Sequence, residues 1–309
     1  MNVLGKFGGP TWGPQLLAIV SDSAQPAKLR AECLTALAAI DAQELPGAVD
    51  LAIEDKDANV RNTGRELLAK TDPDRAVPLL AETVKNGSLR EQQAALATLG
   101  HIKSAAADDL LLNLLAEVAA ESIAENIRLD VRQAAAQRQR ADVVAAVQKH
   151  NVALGKEDPV SFHRDALTGG NAGRGKKIFF ERTAVSCMRC HKIGGKGGDV
   201  GPDLSALGKQ QKRQYILEAL VNPNAAIAKG YETSILVLES GKTLAGIVKE
   251  EDAKQLKLMT SDGKTITVPI AQIEERVKGK SAMPEDLTKQ LTPFDLRDLV
   301  EFLATQKDK

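Results

Sequence analysis

An aliphatic residue followed by arginine recurs four times in the first half of the chain, at Leu29–Arg30, Val60–Arg61, Leu89–Arg90 and Ile127–Arg128. The arginines are spaced by 31, 29 and 38 residues. Six and seven residues after each comes a small or aliphatic pair: Ala36–Leu37, Leu67–Leu68, Leu96–Ala97 and Ala134–Ala135. Apolar residues return every three or four positions between them, as in KLRAECLTALAAI and LREQQAALATLGHI, which is the period of one helix face. A unit of about 30 residues holds two helices, and one such pair cannot bury its apolar face alone, so neighbouring units must stack. Residues 1–150 are therefore expected to form an α-solenoid, with an irregular helical bundle as the plainer alternative. Aromatic residues make up only 3% of the chain, so the core must be built from Ala, Leu, Val and Ile.

The chain of 309 residues is long enough for about two domains. Hydrophobic residues at 43% and charged residues at 27% fit a soluble globular protein. The net charge is zero but unevenly spread. Residues 1–170 carry 18 basic and 23 acidic side chains, and residues 171–309 carry 23 and 18, as expected of two units with different surfaces. No dense Lys/Arg run interleaved with aromatics appears, which argues against a nucleic-acid partner. No apolar run approaches the ~20 residues of a membrane span. The start, MNVLGKFGGPTWGP, lacks a basic region followed by an apolar one, so an export signal would have to lie outside this chain.

Residues 151–172 break the helical period, and Pro159 with Gly169–Gly170 marks a linker. Beyond it, GRGKKIFFER and KRQYILEALVNP read as short helices, the second ended by Pro223. From 231 to 278 the pattern alternates as in strands: ETSILVLE, KTLAGIVKE, KQLKLMT, KTITVP and IEERVK, with SGK and SDGK as turns. The last stretch, TPFDLRDLVEFLATQ, reads as an amphipathic helix with a Thr N-cap and Pro in its first turn.

Two of the three cysteines and one of the four histidines fall within SCMRCHKIGG, as Cys187, Cys190 and His191. C-x-x-C-H is the attachment signal for c-type haem. Two cysteines three apart can each reach one vinyl group along a porphyrin edge, and the next residue is then placed to ligate the iron. The competing readings lack their context. A thioredoxin-like redox pair needs a βαβ setting, and a zinc site needs four ligands, usually with a second close pair. Cys33, His101, His150 and His163 are scattered. Low-spin haem needs a sixth ligand, commonly Met or His. Of the four methionines, Met1 is terminal, Met188 lies between the cysteines, and Met259 sits in a strand pattern. Met283, in the loop KSAMPEDL, is the expected ligand. Its competing role is a gap-filling or surface methionine.

The stretch GKKIFFERTAVSCMRCHKIGGKGGDVGPDLSALG resembles the first half of a class I cytochrome c, and DLRDLVEFL resembles that family's C-terminal helix. The resemblance implies that Cys187 and Cys190 form the thioethers and that His191 is the proximal ligand. It implies further that the Pro202 carbonyl accepts a hydrogen bond from His191 Nδ1, that Leu204 packs on the haem, and that Leu299 and Phe302 meet Gly175 and Phe179. Ninety-two positions separate His191 from Met283, more than class I domains use, and the surplus is the strand-rich segment. GPDL, a β-rich insert and S-x-M-P in that order resemble the haem-binding domain typical of planctomycetes and verrucomicrobia, over about 171–309. The first part resembles HEAT repeats, with DKDANVRNTGRELLAKT as the nearest stretch. In that haem-binding family the domain often ends a long chain after helical repeats and a propeller resembling sugar dehydrogenases, so this chain is expected to be the C-terminal part of such a protein.

The expected architecture is mainly α with a small β part: a HEAT-like solenoid at 1–150, a linker at 151–172, and at 173–309 a cytochrome c domain with a β-rich insert at about 231–278. The expected function is electron transfer through covalent haem c with iron held by His191 and Met283, alongside a sugar- or alcohol-dehydrogenase-like partner, in the periplasm or an equivalent compartment. No nucleophile–base constellation or acidic pair stands out, so an electron-transfer module is expected rather than a catalyst on its own. The alternative is a haem sensor or peroxidase-like enzyme with an open sixth position. Lys176, Lys177, Lys192, Lys196, Lys209, Lys212 and Arg213 gather around the motif and would steer an anionic redox partner. The solenoid would offer a protein-binding surface. GGKGGDVG reads as a flexible loop, Cys33 as a buried and inert thiol, and the other histidines as surface or linker residues.

Overall fold

A computed structural model describes residues 10–155, 158 and 160–308. Met1, most of the N-terminal stretch and Pro159 lie outside the described residues. The chain divides into two compact units, one ending at Val152 and the other beginning at Ala153.

The first unit is helical: α1 (Gly13–Ser21), α2 (Ala27–Ala39), α3 (Leu45–Ile53), α4 (Ala58–Thr71), α5 (Pro73–Asn86), α6 (Leu89–His101), α7 (Ala105–Ala119), α8 (Glu125–Ala136) and α9 (Ala141–Gly155). The recurring aliphatic–Arg pairs fall in the first turns of α2, α4, α6 and α8, and these four helices pack each on the next. The arginines explain the repeat. Arg30 Nε donates to Gln25 O at 3.2 Å, Arg61 Nη1 to Asp55 O at 2.6 Å and Arg128 Nε to Ile123 O at 3.2 Å. Each ties the carbonyls of the preceding loop to the helix it enters. Ion pairs then link successive units: Arg30 with Asp55, Arg61 and Arg65 with Glu91 at 2.8 and 3.1 Å, and Arg138 with Asp108 at 2.5 Å.

The third unit departs from the expected register. Here the pair opens the helix at its first two residues instead of its third and fourth, so Arg90 and Ala97 are exposed and Ala95–Leu96 is buried. Ser88 and Glu91 form a capping box at this end, which starts the helix two residues later relative to its arginine than in the other units. Cys33 is buried at 1% exposure, in line with its helical setting. His150 is buried at 7%, not on the surface as its position suggested.

The second unit contains α10 (Ala172–Glu181), α11 (Cys187–Cys190), α12 (Leu207–Gln210), α13 (Arg213–Val221) and α14 (Pro293–Ala304). Part of the glycine-rich loop is ordered as a hairpin of β1 (Lys192–Ile193) and β2 (Lys196–Gly197). Its turn is made by Gly194 and Gly195 at φ +57° and +75°, which favour glycine. The alternating segments form β3 (Thr233–Leu238), β4 (Thr243–Glu251), β5 (Gln255–Met259), β6 (Thr265–Pro269) and β7 (Ile273–Lys278). They make one antiparallel sheet in the order β6-β5-β4-β3-β7, with a small core of Leu236, Leu238, Leu256, Leu258 and Val268. Thr292 caps α14 by accepting from Asp295 N, and the Asp295 carboxylate accepts from Thr292 N in return.

Helices α10 and α14 cross at Gly175. A Cβ there would run into the Asp298 carbonyl oxygen and lie 2.6 Å from Phe302 Cβ, so glycine sets the approach. Phe179 and Phe302 meet with ring centroids 5.8 Å apart. Leu299, also expected at this crossing, is buried and lines the cleft described next.

Candidate functional site

Ser186, in the left-handed region at φ +46°, turns the chain into the single turn of α11. That turn sets Cys187 and Cys190 on one side, and His191 leaves it in an extended conformation. The following loop wraps back over the turn. Gly198 N donates to Met188 O at 2.9 Å, Gly201 N to Cys190 O at 2.7 Å and Leu204 N to Lys192 O at 2.8 Å. The wrap brings the Pro202 carbonyl 3.0 Å from His191 Nδ1. A carbonyl only accepts, so the proton sits on Nδ1 and the lone pair on Nε2. A Cβ on Gly201 would lie 2.5 Å from His191 Cε1, so the backbone passes close beside the ring.

Cys187, Cys190 and His191 open into one cleft. Its remaining walls are largely apolar: Val185 and Val200 beside the motif, Ile216 and Leu220 of α13, Leu299 and Leu303 of α14, and Leu287. Pro202, Leu204 and Met283 line it as well, the last flanked by Ala282 and Pro284. The fold thus draws all six expected site residues to one cavity. Met259 is half-buried at the end of β5, and Met188 is exposed. Neither lines the cleft.

Burial disfavours charge here. It pushes the Cys187 thiol up to about 11 and raises that of Cys190, and it lowers the His191 imidazolium against the opposing pull of the Pro202 hydrogen bond. A catalytic or metal-binding cysteine needs the thiolate, which its surroundings would have to favour. Neither thiol is in a disulfide, and among the described residues no three His, Cys, Asp or Glu side chains group as a metal site. Two free, neutral thiols and an imidazole with an available Nε2, directed into an apolar cleft, fit a flat apolar macrocycle with an iron centre.

Sequence reasoning missed Tyr215, Tyr231 and Ile247 in the cleft wall. Ile247 belongs to β4 and Tyr231 lies two residues before the start of β3, so the sheet contributes to the site. Composition held one signal: the chain has two tyrosines, and both line this cleft. The basic cluster is partly spent. Lys192 pairs with Asp199, and Arg213 holds Glu301 through two contacts of 2.7 and 2.9 Å, which leaves Lys176, Lys177, Lys196, Lys209 and Lys212 exposed.

Residues 172–257 match the family described as Cytochrome c. The chain therefore contains a cytochrome c domain, whose cofactor is covalently bound haem c with its iron and whose role is haem-based electron transfer. The matched stretch holds the C-x-x-C-H motif, Pro202 and Leu204, and ends within β5, ahead of Met283 and α14. None of the curated proteins compared with the chain matches it. Among the described residues, no helix is long and apolar enough to cross a membrane.

Proposed function

We propose that Cys187 and Cys190 hold the haem through thioethers, that His191 binds the iron through Nε2, and that Met283 supplies the sixth ligand. The observation that carries this reading is the convergence of His191 and Met283, 92 positions apart, on one apolar cleft with both cysteines. The bound haem supplies a one-electron ferric–ferrous couple. The chain's own contribution is to hold the ligands still. The Pro202 carbonyl fixes the His191 ring and makes Nε2 a better donor. The apolar walls exclude water, and a thioether sulfur as ligand raises the reduction potential.

Electrons would enter from a sugar- or alcohol-dehydrogenase-like partner, a reading supported by the resemblance to the planctomycete and verrucomicrobial haem-binding domain. That resemblance and the covalent haem also support a periplasmic or equivalent compartment. The stacked α2, α4, α6 and α8 are consistent with a HEAT-like solenoid serving as a protein-docking arm. The exposed lysines favour an anionic redox partner.

The test is the visible spectrum of ferric and ferrous protein produced with cytochrome c maturation machinery, for wild type and Met283→Ala. A low-spin spectrum with the ferric Met–iron charge-transfer band, lost in Met283→Ala, is expected. A high-spin spectrum indifferent to that substitution would overturn the sixth-ligand assignment and favour a sensor or peroxidase-like site.

A further inference from the structure

A methionine side chain is flexible, and Met283 sits in a loop. A loop that presents an iron ligand needs anchors close to that residue. On one side, Gly279 N donates to Thr233 O at 2.8 Å, tying the end of β7 to the start of β3. Nearer the methionine, one side chain reaches both flanks. Asn224 Oδ1 accepts from Ser281 N at 2.8 Å, and Asn224 Nδ2 donates to Glu285 Oε1 at 2.5 Å. Ser281 and Glu285 stand two residues before and two residues after Met283. The two contacts also fix which end of the amide is which. Lys280 Nζ closes on the same Glu285 oxygen at 2.7 Å, and Ser281 Oγ accepts from Met283 N at 3.2 Å. Asn224 follows Pro223, a cleft residue at the end of α13, so the bracket hangs from a wall of the site itself.

We propose that Asn224 is a positioning residue that brackets the Met283 loop and holds its sulfur towards the cleft. The proposal rests on Met283 being the sixth ligand. Asparagine suits the task because one side chain must accept on one flank and donate on the other. Loss of two such hydrogen bonds should let the loop open about tenfold more often.

The experiment measures imidazole binding to the haem-loaded ferric full chain by stopped-flow absorbance, for wild type, Asn224→Ala, Asn224→Asp, Met283→Ala and the Asn224→Ala/Met283→Ala double variant. Wild type should show the Met–iron band and bind imidazole slowly. Asn224→Ala should bind about tenfold faster with a weakened band. Asn224→Asp keeps an acceptor for Ser281 but faces Glu285 with a like charge, so its rate should fall between the two. It also keeps the proposal testable if Asn224→Ala fails to take up haem. In the Met283→Ala background, adding Asn224→Ala should change nothing, because a residue acting through Met283 has nothing left to act on. A wild-type rate in both Asn224 variants, or an equal acceleration in the Met283→Ala background, overturns the bracket while leaving the ligand assignment intact. A band absent from wild type, or one that survives Met283→Ala, overturns the ligand assignment and the bracket with it.

Discussion

His191 shows how the site depends on single atoms. Its ring is held on one side by the Pro202 carbonyl and bounded by the backbone at Gly201, where a methyl group would sit 2.5 Å from Cε1 and 2.7 Å from Nδ1. Gly201→Ala must displace either the ring or the loop that carries Pro202. It should cost roughly 1–3 kcal/mol, seen as a lower melting temperature of the haem-loaded protein with a disturbed ferric spectrum. Gly175→Ala should cost more, because the obstacle there is the Asp298 carbonyl oxygen, part of a helix backbone that cannot swing aside. It should lower the melting temperature without changing the spectrum of the protein that remains folded. A spectrum altered by Gly175→Ala as strongly as by Gly201→Ala would mean that the helix crossing, and not the loop, sets the imidazole. The C-x-x-C-H spacing made these histidine and cysteine positions legible. Nothing in the sequence marked Asn224, whose two partners lie 57 and 61 residues away.

At the scale of elements, the first unit is joined through Glu91. Its carboxylate on α6 receives Arg61 and Arg65 of α4 and also caps its own helix through Ser88. The Arg61 hydrogen bond is the main cause that holds this carboxyl down to about 2, below its ordinary 4.5. The side chain is only 7% exposed, so water screens the pair little. Because the folded value lies below the unfolded one, the stabilisation is complete above about pH 4.5 and is lost as the pH falls towards 2. Such a shift carries on the order of 3 kcal/mol. Glu91→Gln should therefore destabilise the protein at pH 7 and flatten its acid loss of stability in urea unfolding. Equal losses in variant and wild type between pH 5 and 3 would show that other carboxylates carry the acid response. Element types were well marked along the chain: four helices start at the arginine repeats, and five strands lie on the five alternating segments. In the third repeat the buried pair falls one residue earlier than the spacing predicts, because the Ser88–Glu91 cap decides where the helix begins.

At the scale of the molecule, five exposed lysines lie near the motif while two other cations there are engaged by Asp199 and Glu301. If these lysines steer an anionic redox partner, the second-order rate of electron transfer should fall as ionic strength rises from about 0.01 to 0.15 M, as the screening length shrinks from ~30 to ~8 Å. Replacing Lys176, Lys177 and Lys196 with Gln should weaken that salt dependence. A rate indifferent to salt in wild type would remove electrostatic steering. Stopped-flow reduction by a negatively charged donor protein measures both.

The chain by itself determined what is local. Thioether spacing, helix period, strand alternation and the cap at Thr292 depend on residues within a few positions of one another, so they can be read in order along the sequence. The tertiary structure alone decided what meets across distance. It placed both tyrosines and Ile247 of the sheet in the wall of the haem cleft, buried His150, engaged Arg213 with Glu301, and set Asn224 between Ser281 and Glu285. Those contacts join residues tens of positions apart, and no periodicity records them. They arise when helix, hairpin and sheet close on one another, and the packing then selects which polar side chains find partners.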